Sequence, residues 1–570
     1  MNTQVTRRSL ICSTVAGIAC AGLGGSLARA DEAAETPTAQ SSLPWLPAEP
    51  ADPTDIEEEL ACNVLVIGAG TAGVCAARSA AEEGASVVVV EKCDHPAVCR
   101  SGQWAVIGGK TMEKWGRGAG YMDPQKVVDE QMGEMLYYPK RSIMSRWAKE
   151  NGEVFDWFIS AKEDLYICEN SADPIPDVEC ALWPRHYPLP EGYDPDAERF
   201  SEWETSVSFN PGQEPVLKAN WEAAQTAGAL CYTGHFAEKL IVEDGRVRGA
   251  FVRNAQTGSY KKIIADGGVI LATGEYASNP DMVSYYTPEL IENEVPVMWT
   301  DRDVEGNPTN TGDGLKLGAW IGAAIQQQHA PMVHYMGSFS TIGNSPYLRL
   351  NLLGKRFMDE DVPAMQVQCA TEGQPGRKFW TIWDSKWVEQ LQAFQPRFGS
   401  ANYVVDEPTP ANLGISDVNP YVMRDACDVA AEAGSIIKAD TLEGLINQMS
   451  DLRDSNAALA SIERYNELAH AGEDTDFGKP ANRMFPIEEG PFYAFEAGMN
   501  ALLAICGGLV SDEECHVYDA DRNTIAGLYA CGNIQGSRFA VNYPCSLSGL
   551  SHSMCMFYGY IAGKNAIKGA

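Results

Sequence analysis

Thirty residues near the front of the chain constrain its fold more than any others. Asn63-Val64-Leu65-Val66-Ile67 is an apolar, β-branched run of the kind that forms a strand buried on both faces of a parallel sheet. Gly68-Ala69-Gly70-Thr71-Ala72-Gly73 follows at once and opens a helical stretch over 74–83, and residues 85–90 predict a second strand that ends in Glu91. Strand, glycines, helix, strand and terminal acid in this order form a dinucleotide grip. Gly68 permits the tight turn, Gly70 lets the backbone approach a pyrophosphate, and Gly73 lets helix and strand pack closely. The helix N-terminus, around Ala72, offers unpaired N–H groups and its positive dipole end to the phosphates. Glu91 is placed to accept hydrogen bonds from a ribose, with Lys92 beside it. The grip alone does not separate a flavin dinucleotide from a nicotinamide one.

Length and charge narrow the setting. At 570 residues more than one domain is expected. The apolar fraction of 45%, with 13 Trp, 22 Tyr and 17 Phe, is ample for a core and an aromatic-lined pocket. With 77 acidic against 43 basic residues, the formal net charge of −34 repels a phosphate backbone and argues against nucleic-acid binding. Thr6-Arg7-Arg8-Ser9-Leu10-Ile11 precedes a weakly apolar, Ala- and Gly-rich run that ends in Ala28-Arg29-Ala30, a small-x-small cleavage pattern. Residues 1–30 therefore read as a Tat-type export signal, recognised by the Tat machinery, with a Sec signal as the alternative. The protein is expected outside the cytoplasm, periplasmic or attached to the cell envelope. Residues 31–59, rich in Pro, Ala and Glu, read as a flexible leader. The 16 cysteines contain no C-x-x-C pair, so buried thiols are expected, and no metal or haem spacing occurs.

Further segments identify a family. Leu240-Ile241-Val242-Glu243-Asp244-Gly245-Arg246-Val247 predicts a hairpin, and Gly268-Val269-Ile270-Leu271-Ala272-Thr273-Gly274 a strand ending in a small-residue turn. Thr311-Gly312-Asp313-Gly314, Gly354-Lys355-Arg356-Phe357, Glu463-Arg464-Tyr465-Asn466, Asp476-Phe477-Gly478-Lys479 and Gly490-Pro491-Phe492-Tyr493 follow, and Gly527-Leu528-Tyr529-Ala530-Cys531-Gly532-Asn533 stands near the C-terminus. In this order, over residues 60–564, they resemble the fumarate reductase/succinate dehydrogenase flavoproteins. The resemblance implies an α/β fold: a Rossmann-like FAD-binding domain at 60–328 and 486–570, interrupted by an α+β capping domain at 329–485. It implies FAD on Gly68, Gly70, Ala72, Gly73, Glu91 and Lys92, with further contacts from Ser101, Gly102, Thr273, Gly274, Asp313, Gly532 and Asn533. Members that attach FAD covalently use a His shortly after the second strand. Here that stretch reads Val98-Cys99-Arg100-Ser101-Gly102-Gln103-Trp104, without His, so the FAD is expected to be non-covalent.

The same comparison shows what the active site lacks. Fumarate reductases surround a dicarboxylate with cations and protonate carbon with a cap-domain Arg. After Arg356-Phe357 this chain continues Met358-Asp359-Glu360-Asp361-Val362-Pro363-Ala364-Met365, with no Arg or Lys until Arg377. Leu503-Ala504-Ile505-Cys506 stands where the family has a His before Gly507-Gly508, and Tyr543 follows Asn542 where the family has Arg. His329 at the cap entrance is a candidate survivor of the clamp, or a packed polar residue. The C-terminal segment is similar instead to the 3-ketosteroid dehydrogenases, in which a Tyr and a backbone Gly N–H polarise a ketone. Tyr543 and Gly549 are the candidates here, six residues apart where that branch has four, with a core aromatic hydrogen-bonded to backbone as the alternative for Tyr543. Arg538 is a candidate cation for a single carboxylate, or alternatively a partner of the FAD phosphates or of a surface acid. The proline-locked stretch 183–190 adds His186 and Tyr187 as candidate proton donors, or is a rigid surface loop.

The leading expectation is a reductase of an activated C=C bond, with a small unsaturated molecule as substrate. A separate electron donor, a membrane-linked cytochrome, would feed it. The alternatives are the reverse reaction, oxidation of a ketone-bearing ring, and a flavin electron carrier without substrate chemistry.

Overall fold

The computed structural model describes residues 43–569, apart from 100–101, 171–176, 185–202, 293, 299, 335–339, 395–399, 408–420 and 500. Along the chain come β1 (Ile56–Ile67), helix α1 (Thr71–Glu82), β2 (Val87–Glu91), β3 (Gln103–Ala105), β4 (Ser206–Asn210), β5 (Leu230–Thr233) and β6 (Tyr260–Leu271). Helix α2 (Asp313–Trp320) precedes β7 (Leu348–Asn351), β8 (Lys378–Trp383), β9 (Ile437–Ala439), β10 (Phe492–Gly498), β11 (Ala501–Cys506), β12 (His516–Tyr518), β13 (Thr524–Ala530) and helix α3 (Leu550–Ala566).

The main sheet has eight strands, six of them in the order β12-β13-β6-β1-β2-β5. β1 lies parallel to β6 from Ile56↔Tyr260 to Ile67↔Leu271 and parallel to β2 from Val64↔Val87 to Ile67↔Val90. β13 joins β6 in parallel, with Ala530 opposite Leu271. The apolar run read at residues 64–67 is buried throughout, as a central parallel strand requires. This register aligns Ile67, Val90, Leu271 and Ala530 at one edge, so the four loops that follow them converge there. The hairpin expected around 240–247 is present: strands His235–Glu243 and Arg246–Asn254 pair on the first half of β6.

A second, antiparallel sheet in the order β7-β8-β10-β9 packs its own core of Leu350, Trp380, Ile382, Ile462 and Tyr465. It draws on β10, which lies beyond the boundary expected at 485, because Phe492–Gly498 pairs with both β8 and β9. From Pro44 onward the chain forms one compact unit. The stretch expected to be a flexible leader at 31–59 is packed from Pro44. Trp45 is buried against Tyr286, Trp320 donates to the Pro47 carbonyl (2.9 Å), and Lys239 donates to the Pro50 carbonyl (2.8 Å). One buried indole, these two carbonyl contacts and the pairing of Lys239 with Glu49 and Asp52 outweigh the polar, proline-rich composition that suggested mobility. β1 also starts at Ile56, within the expected leader and ahead of the run read from Asn63. The described cysteines are free thiols, most of them buried. Among the described residues no helix is long and apolar enough to cross a membrane.

The two ends of the folded chain meet through α1 and α3. Gly559 and Gly563 lie one turn apart on α3, on the face toward α1. A Cβ at Gly559 would stand 2.3 Å from the Ala72 carbonyl, and one at Gly563 would stand 2.3 Å from that of Ala76. The helices thus touch backbone to backbone. Gly559→Val should destabilise the protein by about 1–3 kcal/mol through overpacking. Thermal unfolding of the purified variant measures this, and an unchanged midpoint would mean that the helices are not in such close contact.

Candidate active site

The converging loops open on a cavity of about 1190 Å³. Gly68, Gly70, Ala72, Glu91, Lys92, Gly102, Thr273, Gly274, Asp313, Gly532 and Asn533 line it, and Tyr543 and Gly549 line it as well. Segments hundreds of positions apart are therefore brought to one cavity. Gly73 supports its wall from behind. Ser101 and the Tyr187 loop, His186 included, lie outside the described residues.

The three glycines of the grip do different work. Gly68 has φ +99°, and a Cβ there would stand 2.5 Å from the Ala272 carbonyl. At Gly73 it would stand 1.9 Å from the Gly68 carbonyl. Gly70, by contrast, has an ordinary φ of −73°, and its nearest neighbour would be Val98 O at 3.4 Å. The fold itself does not require glycine at 70; the open space in front of it suits a phosphate lying against the backbone. The first-turn N–H groups of α1 have no intrahelical acceptor and face this space.

Glu91 accepts the Ala69 N–H on Oε2 (2.6 Å) and the Cys93 N–H on Oε1 (2.9 Å), which fixes the carboxylate and leaves each oxygen a lone pair for a hydroxyl. Lys92 Nζ pairs with Asp313 at 2.7 Å at the start of α2, and Lys316 lies 3.4 Å from the same carboxylate. Burial opposes the charge on Asp313, but the two lysines outweigh it and hold the carboxyl below its usual range. Thr273 Oγ1 is buried without a protein partner at the end of β6. These groups fit a dinucleotide: an open backbone at the helix N-terminus, a fixed ribose acceptor and an orphaned hydroxyl.

The other end of the cavity differs in kind. Met332, Val333, Met365, Leu503 and Ala504 form an apolar wall beside Tyr543. The Tyr543 hydroxyl accepts the Ser551 N–H at 2.9 Å, so its own proton is free to be given elsewhere. Burial holds its pKa well above the ordinary value, and the O–H stays a neutral donor. Gly549, at φ +85°, caps α3 and sits so close to β3 that a Cβ would stand 2.2 Å from the Gln103 carbonyl. Among the described lining residues there is no Arg, and the only Lys are Lys92 and Lys316 at the dinucleotide end.

Several further polar groups stand here without a local sequence motif. Gln103 Oε1, Ser208 Oγ and Ser548 Oγ are buried on this wall without protein partners. Gln103 and Ser208 are register partners on β3 and β4. His552 also lines the cavity, with Nδ1 donating to Gln103 O at 2.9 Å and its ring stacked on Trp104. Its position in the first turn of α3, three residues past Gly549, was the available signal. Glu275 follows Gly274 and holds the Ile505 N–H (3.3 Å) and Asn310 (2.9 Å), tying β11 to the turn after β6.

Two expected catalytic residues do not line the cavity. His329 is buried, with Nε2 donating to Gln326 O (2.7 Å), Nδ1 accepting from the Tyr276 hydroxyl, and its ring stacked 4.0 Å from that of Tyr286. Burial pushes its pKa down to about 4, so it is a neutral packing group and not a cation. Arg538 is 1% exposed and is held by Gln535 O (3.2 Å) and Asn533 Oδ1 (2.9 Å) behind the wall. In both cases hydrogen bonds to neighbouring groups, which residue type alone does not reveal, keep the side chain inside.

A family model described as an FAD binding domain matches residues 63–550. The chain is 26% identical over 525 residues to a vinyl phenol reductase of Lactiplantibacillus plantarum, covering 88% of this chain and 95% of that one. It is 26% identical over 529 residues to a fumarate reductase (cytochrome) of Shewanella frigidimarina, covering 89% and 77%. Its fold is similar to the crystal structure of 3-ketosteroid-Δ4-(5α)-dehydrogenase from Rhodococcus jostii RHA1, with TM-score 0.64, 20% identity, and 92% and 99% of the chains covered.

Because only a ligand needs the space at Gly70, Gly70→Ala should fold with an unchanged melting temperature as apoprotein. It should bind FAD at least tenfold more weakly, a loss of about 1.4 kcal/mol. FAD titration of the apoprotein measures this, and wild-type affinity would mean that the pyrophosphate does not pass this loop.

Proposed function

The chain belongs to the FAD-binding family, and we propose that it is an exported reductase of activated C=C bonds whose substrate is an α,β-unsaturated carbonyl compound or acid. It is an FAD-dependent oxidoreductase of a family with reductases and dehydrogenases acting on such bonds. FAD, when bound, supplies the hydride that adds to the β-carbon. What this chain adds is visible at the apolar end of the cavity: a neutral, buried Tyr543 O–H, pre-oriented by the Ser551 N–H, with no Arg or Lys beside it among the described lining residues. A neutral donor suits a carbonyl oxygen, on which negative charge grows as the β-carbon is reduced. Burying a dicarboxylate against Met332, Leu503 and Ala504 without a cation is costly. The orphaned Gln103, Ser208 and Ser548 atoms would satisfy uncharged polar groups of the flavin or the substrate.

The name of the vinyl phenol reductase relative agrees with an uncharged unsaturated substrate. In this reading residues 329–485 cap the flavin, and the FAD is held without a covalent bond, since residues 98–104 contain no His. Residues 1–30 direct export through the Tat machinery before a separate, membrane-linked cytochrome donates electrons. The same Tyr543 donor would serve the reverse reaction on a ketone-bearing ring, and the fold it shares with a ketosteroid dehydrogenase keeps that as the second reading.

Tyr543→Phe removes one O–H and keeps the ring, so FAD content should not change while turnover of a conjugated ketone slows roughly 10²–10³-fold. With dithionite-reduced viologen as donor, wild-type protein should reduce conjugated ketones or monoacids and leave fumarate essentially untouched. Robust fumarate turnover, or an unimpaired Phe variant, would overturn the substrate reading. Changing Arg7 and Arg8 together to Lys should hold the precursor in the cytoplasm, and continued export would point to a Sec signal.

A further inference from the structure

The buried guanidinium of Arg538 carries an inference that concerns the cofactor and does not depend on the substrate. Arg538 is 1% exposed, and no carboxylate among the described residues pairs with it. Nε donates to Gln535 O (3.2 Å), Nη2 to Asn533 Oδ1 (2.9 Å), Nη1 lies 4.0 Å from Cys555 Sγ, and the group stands 5.1 Å over the Phe539 ring. A buried cation without a counter-ion is costly to keep and leaves a positive potential around it.

That potential falls on Asn533, which lines the cavity in the turn after β13. The Asn533 amide oxygen collects three donors: Arg538 Nη2, Ser551 Oγ at 3.2 Å and the Cys555 thiol at 3.7 Å. A guanidinium has donors only, so the amide oxygen, not the nitrogen, must face it. The amide N–H groups are thereby turned the other way, toward the cavity, and no protein acceptor among the described residues takes them.

We infer that Arg538 is a positioning residue for the flavin. By occupying the amide oxygen of Asn533 it aims that side chain's N–H donors at the cofactor, and its unbalanced charge makes bound FAD easier to reduce. A donor and a fixed positive charge both favour the electron-rich state of the group beside them. Arg538 then acts through Asn533 and never meets the substrate, in place of the carboxylate clamp suggested by its sequence position.

The test is the midpoint potential of purified holoprotein, measured against reference dyes with no substrate present. Arg538→Met should lower the equilibrium constant for two-electron reduction at least tenfold, a shift of about 30 mV to more negative potential. Arg538→Lys, which keeps the charge and one donor, should recover part of it. Asn533→Leu should shift the potential in the same direction, and the double variant should fall short of the sum of the two. If Arg538→Met fails to hold FAD, the Lys and Leu variants decide, and wild-type potentials in both would overturn the inference. An Arg538→Met protein of wild-type potential that binds 4-hydroxycinnamate selectively worse than its methyl ester would also overturn it, and would return Arg538 to the carboxylate. Because no substrate enters the potential measurement, failure here leaves the C=C reductase reading standing.

Discussion

The contact on which the site depends is the close packing of α1 against α3, helices from the two ends of the folded chain. Ala72 and Ala76 on one side and Gly559 and Gly563 on the other leave nothing between the backbones but hydrogen atoms. The N-terminus of α1 faces the phosphate space, and the N-terminus of α3, capped by Gly549, faces the opposite end of the same cavity. Setting the distance between the helices therefore sets the distance between the pyrophosphate grip and Tyr543. The same packing places Gly532 against Ala72, where a Cβ would come within 2.9 Å of the alanine methyl, and so fixes the turn that presents Asn533. Small residues at these positions are needed for geometry, since interiors pack too densely to absorb an added methyl without movement.

Within the cavity, charge is divided by position. The two lysines among the described lining residues stand at the dinucleotide end, both neutralised in part by Asp313. At the other end the wall is apolar around the Tyr543 phenol, with Ser208, Ser548, Ser551, Gln103 and His552 as its polar groups. An anion of the size of a pyrophosphate has helix N–H groups to meet it, whereas a carboxylate at the far end would meet none of the cations that fumarate chemistry uses. This division makes the proposed substrate a property of the whole wall and not of a single replaced residue.

How much of this was legible in the sequence follows from the range of the forces involved. The grip at 63–91 was legible because its requirements are local: a β-branched run, glycines at fixed offsets and an acid at the strand end. Gly68 and Gly73 carry the backbone contacts expected of them, and Glu91 ends its strand where it was read. Tyr543 and Gly549 reach the cavity because the segment that follows β13 resembles a known ketone-polarising pattern. His329 and Arg538 were misplaced for a common reason. Each is a cationic residue type near an active-site motif, but its location is decided by hydrogen-bond partners 3 to 53 residues away: the Asn533 and Tyr276 side chains and the Gln535 and Gln326 carbonyls. The strap at 44–52 was hidden by composition, because one Trp among prolines and acids hardly shifts an average yet buries a whole indole. Gln103 and Ser208 were invisible because they matter only as neighbours across a strand pair.

The strap at 44–52 bears on the proposed export of the protein. Pro47 and Pro50 line the cavity, and Trp320, which donates to Pro47 O, lines it too, so residues just past the expected cleavage site form part of the cofactor's wall. Trp45 and Lys239 hold that segment to the folded body. A wall made of residues 47–50 can close only after the strands behind it have formed, and a bound dinucleotide would stabilise the closed arrangement by mass action. A chain built in this way has its cofactor enclosed once folding is complete, which suits transport of a folded, loaded protein better than threading an unfolded one.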